Sequence, residues 1–156
     1  MKKIVLAICC LFLAATASTP QESPDFSGNF ALKSMKGDRV AKTLPKSLLK
    51  VVQNGTLLEI VETFDSGKTM TSRYALDGNE SKNTTEGGVP TVDKAEVKGK
   101  TLVIRSSYRL TNGVPVHETQ KWELSADART LKIRRQTQFE GMSMLDETTN
   151  ETYQRR

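Results

Sequence analysis

Short runs in which apolar and polar residues alternate fill most of the chain after its first segment, and turn dipeptides separate these runs. Glycine and asparagine adopt positive φ at little cost, so each dipeptide predicts a point where an antiparallel strand reverses. A chain that reverses about every ten residues forms a meander, and a long meander must close or stack to cover its edge strands. The turn dipeptides are Asn54-Gly55, Ser66-Gly67, Asp77-Gly78, Lys98-Gly99, Asn112-Gly113 and Glu140-Gly141.

This alternation predicts an all-β fold: an antiparallel up-and-down meander of about eight to ten strands that closes into a barrel, or into a closely related sandwich. The polar, glycine-rich segment 80–90 is predicted to be a loop or a weak strand. The charged strand 91–97 is predicted to lie at a sheet edge or against solvent. The predicted strands span 26–33, 46–53, 56–64, 69–76, 91–97, 101–110, 116–124, 130–139 and part of 146–154.

The first residues have the pattern of a secretory signal peptide. Lys2 and Lys3 precede the apolar run Ile4–Ala15, which is too short to cross a bilayer as a helix. Small residues at Ala15 and Ala17 frame a signal-peptidase site, so we expect residues 1–17 to be removed. Residues 18–25 would then form a flexible leader and residues 26–156 a single β-barrel domain. The compact Lys-Lys start is typical of bacteria and indicates export to the periplasm or the medium.

Both cysteines, Cys9 and Cys10, lie in the predicted signal peptide. The mature protein would therefore contain no thiol and no disulfide, which excludes cysteine nucleophiles, zinc fingers and iron–sulfur clusters. The formal net charge of the full chain is +5, and its cations are spread along the sequence. A nucleic-acid-binding protein usually carries a denser basic stripe, so we expect no nucleic-acid partner.

Several short motifs resemble those of lipocalin-like proteins. Phe26, Gly28, Phe30 and Leu32 are spaced as in the Phe-x-Gly-x-Trp-x-Leu motif common in the opening strand of lipocalin-like barrels. Phe30 stands where lipocalins have tryptophan, and Arg155 is the candidate for the arginine that stacks on that ring. The segments 75–80, 86–88, 100–104, 121–127 and 130–133 are similar to those of small secreted bacterial proteins of this type. The resemblance implies a lipocalin-like barrel with a cavity for a small apolar molecule.

Charged and amide side chains interrupt three strand faces that are otherwise apolar. Glu62, Glu118 and Arg135 occupy such faces, and Gln120 lies beside Glu118. In a closed barrel these faces point inward, where an unpaired charge is costly. We expect Arg135 to pair inside the barrel with Glu118, or with Glu62. An inward arginine can also receive a carboxylate, which indicates an anionic amphiphile as the ligand. The competing interpretation is an ion pair with a purely structural role.

Aromatic residues on the same faces would form the apolar wall of a cavity, although such residues also build solid cores. The predicted ligand-binding set is Phe30, Tyr108, Glu118, Gln120, Trp122 and Arg135. The single histidine, His117, falls on the face opposite Trp122 and is expected at the surface. One histidine without cysteine cannot form the usual zinc sites. We therefore expect no cofactor, no metal and no catalytic residue.

Together these features favour a secreted binding protein without a catalytic step, whose ligand is a small hydrophobic or anionic amphiphilic molecule. One alternative is a protein–protein interaction module of the cell envelope, which would have a solid core. A less favoured alternative is a hydrolase using Asp65, because Asp65-Ser66-Gly67 resembles the loop of aspartic proteases. A turn explains the same residues without chemistry. The mature chain contains no segment with the pattern of a transmembrane helix.

Overall fold

The structure is a computed structural model that describes residues 23–38 and 47–156. The signal peptide predicted for 1–17 and most of the predicted leader lie outside the described residues, so both stay predictions. The described part contains ten strands and one short 3₁₀ turn, Ser143–Leu145. The strands are β1 (Gly28–Gly37), β2 (Leu48–Asn54), β3 (Leu57–Thr63), β4 (Thr69–Ala75), β5 (Asp77–Thr84), β6 (Pro90–Lys98), β7 (Thr101–Arg109), β8 (Pro115–Leu124), β9 (Thr130–Phe139) and β10 (Glu147–Arg155).

All ten strands belong to one antiparallel sheet with the order β4-β3-β2-β1-β10-β9-β8-β7-β6-β5. The first and last strands, β1 and β10, pair in the middle of this order and so join the two ends of the chain. The sheet edges are β4 and β5, which are consecutive in the chain and separated by Leu76. The sheet wraps into a nearly closed barrel, which confirms the predicted all-β meander. Within residues 23–38 and 47–156 no helix has the length and apolar character needed to cross a bilayer.

Side chains of β5 bridge the break in the backbone ladder between β4 and β5. The amide of Asn83 accepts a hydrogen bond from the Arg73 N–H at 2.8 Å and donates one to the Arg73 carbonyl at 2.9 Å. The hydroxyl of Ser81 accepts the Ala75 N–H at 3.0 Å. Backbone groups that lose their ladder partners must be satisfied in another way, and these two side chains do so. The gap is therefore closed by side-chain hydrogen bonds.

The polar segment 80–90 is predicted to be a loop or a weak strand, and its first half belongs to the strand β5, whose polar side chains bridge the gap. The charged strand 91–97 is predicted to lie at an edge or against solvent, and the edge position is wrong, because β6 is an internal strand between β5 and β7. Because β5 covers β6, Thr91, Asp93 and Ala95 all point inward and are buried.

Inward-facing side chains at one end of the barrel form a solid apolar core. This end gathers the starts of β1, β3, β7 and β9 with the ends of β2, β4 and β8. Phe26 precedes β1, is 0% exposed, and packs against this core. Its N–H donates to Oε1 of Gln53 at 3.0 Å, which fixes the chain before the first strand. Other members of the core are Phe30, Val51, Leu58, Leu102, Trp122 and Leu131.

Arg155, near the end of β10, lies over the ring of Phe30 at this closed end. Its guanidinium carbon is 4.9 Å from the ring centroid, and its Nε donates to the carbonyl of Ala128 at 2.7 Å. A Cβ at Gly28 would lie 2.7 Å from Nη1 of Arg155 and 3.0 Å from the Phe30 ring, so the stack needs glycine there. The predicted pairing of Arg155 with Phe30 is confirmed.

Candidate functional site

The inward-facing positions become polar towards the opposite end of the barrel, where β3, β5 and β7 finish. A cavity of about 290 Å³ lies there. Its walls combine aromatic and methionine side chains with hydroxyl, amide and charged groups. The residues that line it include Glu62, Phe64, Met70, Ser72, Tyr74, Asn83, Thr91, Asp93, Ser106, Tyr108, Glu118, Gln120 and Arg135. One barrel thus joins a dry apolar end to a polar chamber.

Arg135 is the centre of the charged groups in this chamber. Its Nη1 donates to Oε1 of Glu118 at 2.8 Å, which confirms the predicted pair. Its Nε donates to Oε1 of Glu151 at 3.3 Å. The Glu151 side chain is only 5% exposed and that of Arg135 is 29% exposed, so both charges are largely removed from water. A buried pair of this kind is stable only when its geometry and remaining hydrogen bonds are satisfied.

Sequence reasoning missed Glu151 as the second partner of Arg135. The available signal was the alternation of Thr149, Glu151 and Tyr153 along β10, which places the carboxylate on the same face as a buried tyrosine. The hydroxyl of Tyr153 donates to Oε2 of Glu151 at 3.0 Å. Burial, followed by the nearby Glu151 carboxylate, raises the pKa of Tyr153 above its usual range, so its hydroxyl keeps its proton.

A chain of hydrogen bonds connects the apolar end to the charged groups. The indole Nε1 of Trp122 donates to Oε1 of Gln120 at 2.9 Å, and Nε2 of Gln120 donates to Oε1 of Glu118 at 2.7 Å. Gln120 lies directly opposite Arg135 in the β8–β9 ladder, and Glu118 lies one inward position further along. The polar groups of this row are thus satisfied, which holds the glutamate and the guanidinium in fixed positions.

Glu62 faces the same chamber from β3. Burial raises the pKa of its carboxyl group, while the charge of Arg135 and a hydrogen bond from the Ser47 hydroxyl at 2.8 Å act in the opposite direction. Burial also disfavours the charge on Arg135, but the surrounding Glu118, Glu151 and Glu62 outweigh it and raise the pKa of the guanidinium. Arg135 therefore stays charged at every physiological pH, whereas burial favours the protonated form of Glu62.

Asp93 of β6 is a further acidic residue of the chamber that sequence reasoning missed. It is 1% exposed, and its Oδ2 accepts hydrogen bonds from Nδ2 of Asn83 at 2.7 Å and from the Thr91 hydroxyl at 2.9 Å. Its Oδ1 is buried and has no hydrogen-bond partner among the described residues. An unsatisfied buried carboxylate oxygen is costly, so Oδ1 of this cavity-lining residue is an unused acceptor.

The structure brings four of the six predicted site residues to the chamber. Arg135, Glu118 and Gln120 line it together, and Tyr108 lies half-buried in its wall. Trp122 forms the floor beside a narrow extension of about 50 Å³. Phe30 does not line either space: it belongs to the apolar core under Arg155.

The two residues considered for chemistry, His117 and Asp65, are both exposed. His117 is exposed on β8, with its Nδ1 at 3.1 Å from the Ser107 hydroxyl. Asp65 lies in the exposed turn between β3 and β4, where the Gly67 N–H donates to the Phe64 carbonyl. Over the described ranges no group of three or more histidine, cysteine, aspartate or glutamate side chains is arranged to hold a metal ion.

Solved structures with the same fold are numerous. The REP1-NXSQ fatty acid transporter superimposes with a TM-score of 0.61 at 13% identity, over 84% of this chain and 96% of that protein. The zebrafish ileal bile acid-binding protein complexed with cholic acid superimposes with a TM-score of 0.58 at 17% identity, over 84% of this chain and 98% of that protein. Secretory abundant heat soluble protein 4 from Ramazzottius varieornatus superimposes with a TM-score of 0.60 at 11% identity, over 88% of this chain and 99% of that protein.

These likenesses establish the barrel fold and confirm the fold part of the lipocalin-like resemblance. Identities this low carry no ligand or activity from one protein to another, because unrelated functions share such folds. No protein-family model matches the sequence, and no curated protein matches it.

Proposed function

We propose that this protein is an exported binding protein that holds a small hydrophobic or amphiphilic molecule in its barrel and performs no chemical step on it. The observation that carries the proposal is the chamber of about 290 Å³ between a dry floor and a polar wall. Ligand sites are typically concave, largely preformed and equipped with a few fixed polar groups. The row from Trp122 through Gln120 and Glu118 to Arg135 provides such fixed groups.

The structural neighbours support this proposal by their own ligands. One is named as a fatty acid transporter, and another was solved with cholic acid bound. Both ligands are molecules with an apolar body and a polar group. The chamber of this barrel likewise has both kinds of surface, because the side chains of Met70, Tyr74 and Tyr108 lie beside its charged groups.

Export is a separate part of the proposal and rests on the sequence of residues 1–17. A protein without cysteine after cleavage would suit the periplasm or the medium, where free thiols are oxidised. Cell fractionation and the intact mass of the mature protein test this part. The proposal predicts a chain that begins after Ala17 in the exported fraction, whereas an uncleaved chain that stays in the cytosol would contradict it.

Binding is tested by titrating the protein with octanol, an uncharged amphiphile, while following the emission of Trp122. We expect a saturable change, because Trp122 forms the floor beside the chamber and its indole bonds to Gln120. Mass spectrometry of protein purified without denaturation would show whether a small molecule accompanies it. A wild-type protein that shows neither a saturable change nor a bound molecule would contradict the proposal.

Neighbouring serines on β7 provide matched variants for the titration. Ser106 lines the chamber, whereas Ser107 is exposed on the other face of the strand. Ser106→Phe fills the space and should weaken octanol binding at least about tenfold, or about 1.4 kcal/mol. Ser107→Phe adds the same ring outside the barrel and should leave the affinity unchanged. Equal affinities in the two variants would show that octanol does not enter the chamber.

A further inference from the structure

The charges that face the chamber do not balance. Glu62, Asp93, Glu118 and the exposed Glu86 line it, and Glu151 contacts Arg135 from the adjoining strand. Arg135 is the one cation that lines it among the described residues. Even with Glu62 protonated and the exposed Glu86 left out, the carboxylates of Asp93, Glu118 and Glu151 exceed the guanidinium by two charges. The interior is therefore an environment that favours positive charge.

The arginine that could receive an anion is already engaged. Arg135 donates to Glu118 from Nη1 and to Glu151 from Nε. A carboxylate ligand would have to compete with two fixed carboxylates for the same guanidinium, and it would enter a chamber with excess negative charge. Repulsion between like charges is strong where water is excluded. These contacts argue against the anionic ligand that the sequence suggested for Arg135.

Asp93 provides an acceptor that no group of the protein uses. Its side chain is 1% exposed, its Oδ2 is held by Asn83 and Thr91, and its Oδ1 is buried without a partner among the described residues. Asn83 and Thr91 fix the orientation of the carboxylate, so the lone pairs of Oδ1 remain for a donor from a ligand. The rings of Tyr74 and Tyr108 line the same space, and aromatic faces also attract cations.

We propose that the chamber binds a small organic ammonium ion, with an N–H of the ligand donating to Oδ1 of Asp93 and the apolar part lying against Tyr74 and Tyr108. This inference rests on the proposed function and names its ligand class. An organic cation fits better than a metal ion, because the described residues contain no cluster with the arrangement of metal ligands. The volume of about 290 Å³ holds about ten non-hydrogen atoms, if each takes the ~30 Å³ share of a water molecule in the liquid.

Calorimetric titration of the full mature chain with octylamine, octanoate and octanol at neutral pH tests the inference, because these probes share one alkyl chain. We expect octylamine to bind at least about tenfold more tightly than octanoate, a difference of about 1.4 kcal/mol. Octyltrimethylammonium keeps the charge but has no N–H, so it should bind more weakly than octylamine. Octanoate binding as tightly as octylamine would overturn the inference, and so would octyltrimethylammonium binding as tightly as octylamine.

Variants locate the preference for the amine. Asp93→Asn keeps the shape of the side chain and removes its charge, so it should lower octylamine affinity about tenfold and affect the affinity of the uncharged octanol much less. Glu123→Gln removes an exposed carboxylate from the outer face of β8 and should change neither affinity. Unchanged octylamine affinity in a folded Asp93→Asn protein would overturn the inference. If that variant does not fold, the relative affinities of the four probes for the wild-type protein still test the inference.

The same titrations separate this inference from the function on which it rests. Octanol binding without a preference for octylamine over octanoate would leave the binding function intact and remove the ammonium site. Failure of all four probes to bind would count against both.

Discussion

The side-chain amide of Asn83 on β5 forms hydrogen bonds with both the N–H and the carbonyl of Arg73 on β4. In a regular sheet a backbone peptide group of the neighbouring strand would make these two bonds. The same amide donates to Oδ2 of Asp93 at 2.7 Å. Asn83 therefore both helps to close the gap between β4 and β5 and orients the buried carboxylate of the chamber.

Replacing Asn83 by alanine should open this gap. The variant loses three hydrogen bonds at about 0.5–1.5 kcal/mol each, so we expect unfolding free energy to fall by roughly 2–3 kcal/mol. Hydrogen exchange at the Arg73 N–H should become markedly faster, because its acceptor is gone. Asn79→Ala, on the same strand, removes one hydrogen bond from the exposed Asn79 side chain to Asp77 and is the control. Unchanged protection of the Arg73 amide in Asn83→Ala would contradict the bridging role.

Removing the central cation should destabilise the barrel in a pH-dependent way. Arg135→Met leaves Glu118 and Glu151 buried without their partner, and breaking a buried pair typically costs about 3–5 kcal/mol at neutral pH. The loss should shrink in acid. A buried charge without a partner is costly and a neutral carboxyl group is much less so, so low pH relieves part of the penalty.

Arg134→Met is the matched control for this experiment, because Arg134 is the next residue of β9 and lies exposed on its outer face. Its effect on the unfolding free energy should stay within about 0.5 kcal/mol, as is usual for surface positions. Equal losses for the two variants in urea titrations would show that the Arg135 charge is not needed inside.

Glu62 should reduce stability at neutral pH. Burial raises the pKa of its carboxyl group above the unfolded value, so the folded state binds this proton more tightly than the unfolded state does. The stabilisation from this group is fully present below the unfolded pKa and is lost as pH rises through the folded one. Glu62→Gln keeps the acceptor for the Ser47 hydroxyl and removes the charge.

Glu62→Gln should therefore raise the melting temperature at pH 7, by roughly 2–4 °C if it recovers about 1 kcal/mol. The gain should shrink as pH falls and vanish well below the unfolded-state pKa, where the carboxyl of the wild-type protein is protonated in both states. Scanning calorimetry at several pH values measures both effects. A lower melting temperature at pH 7 would mean that attraction between Glu62 and Arg135 outweighs the cost of burial.

A side chain at Gly28 should break the stack at the closed end. The added Cβ of Gly28→Ala would meet Nη1 of Arg155 at 2.7 Å, so the guanidinium must leave the Phe30 ring. We expect a loss of about 1–3 kcal/mol, the usual cost of forcing extra atoms into a packed site. Gly87→Ala, whose Cβ would come no closer than 3.7 Å to Thr85, should be neutral in the same denaturation assay. A Gly28→Ala protein as stable as Gly87→Ala would contradict this packing.

The sequence specified the strands well because their information is local. Alternation and turn glycines mark where each hairpin reverses, and Gly55, Gly67, Gly113 and Gly141 all adopt positive φ in the structure. Gly78 also does so, at φ 81°, but it lies inside β5 after a reversal at Leu76. The pairing of β5 with β6 shifts register between Asp77 and Glu80 at this point, and no local sequence pattern predicts the shift.

The candidate site was predictable only where its partners lie on neighbouring hairpin strands. Glu118 and Arg135 stand out because each is a charge on an apolar face, and β8 and β9 are joined by a short turn. Glu151 reaches Arg135 from β10, where Tyr153 is the one aromatic side chain that marks the inward face of the strand. The charges of strand 91–97 favour a position against solvent, whereas the burial of Asp93 depends on β5 pairing beside it and on β4 lying across the gap. The positions of both Glu151 and Asp93 therefore depend on the long-range closure of the barrel, which no local sequence pattern predicts.

The most direct test of the account is where a ligand lies in the barrel. Isotope-filtered nuclear Overhauser measurements between labelled protein and unlabelled octanol report protons that are close in space. We predict contacts from octanol to Met70, Tyr108 and Trp122, which surround the chamber and its floor. Contacts to Val52 and Leu57, which are 44% and 62% exposed on the outer surface, with none to the chamber, would contradict the account.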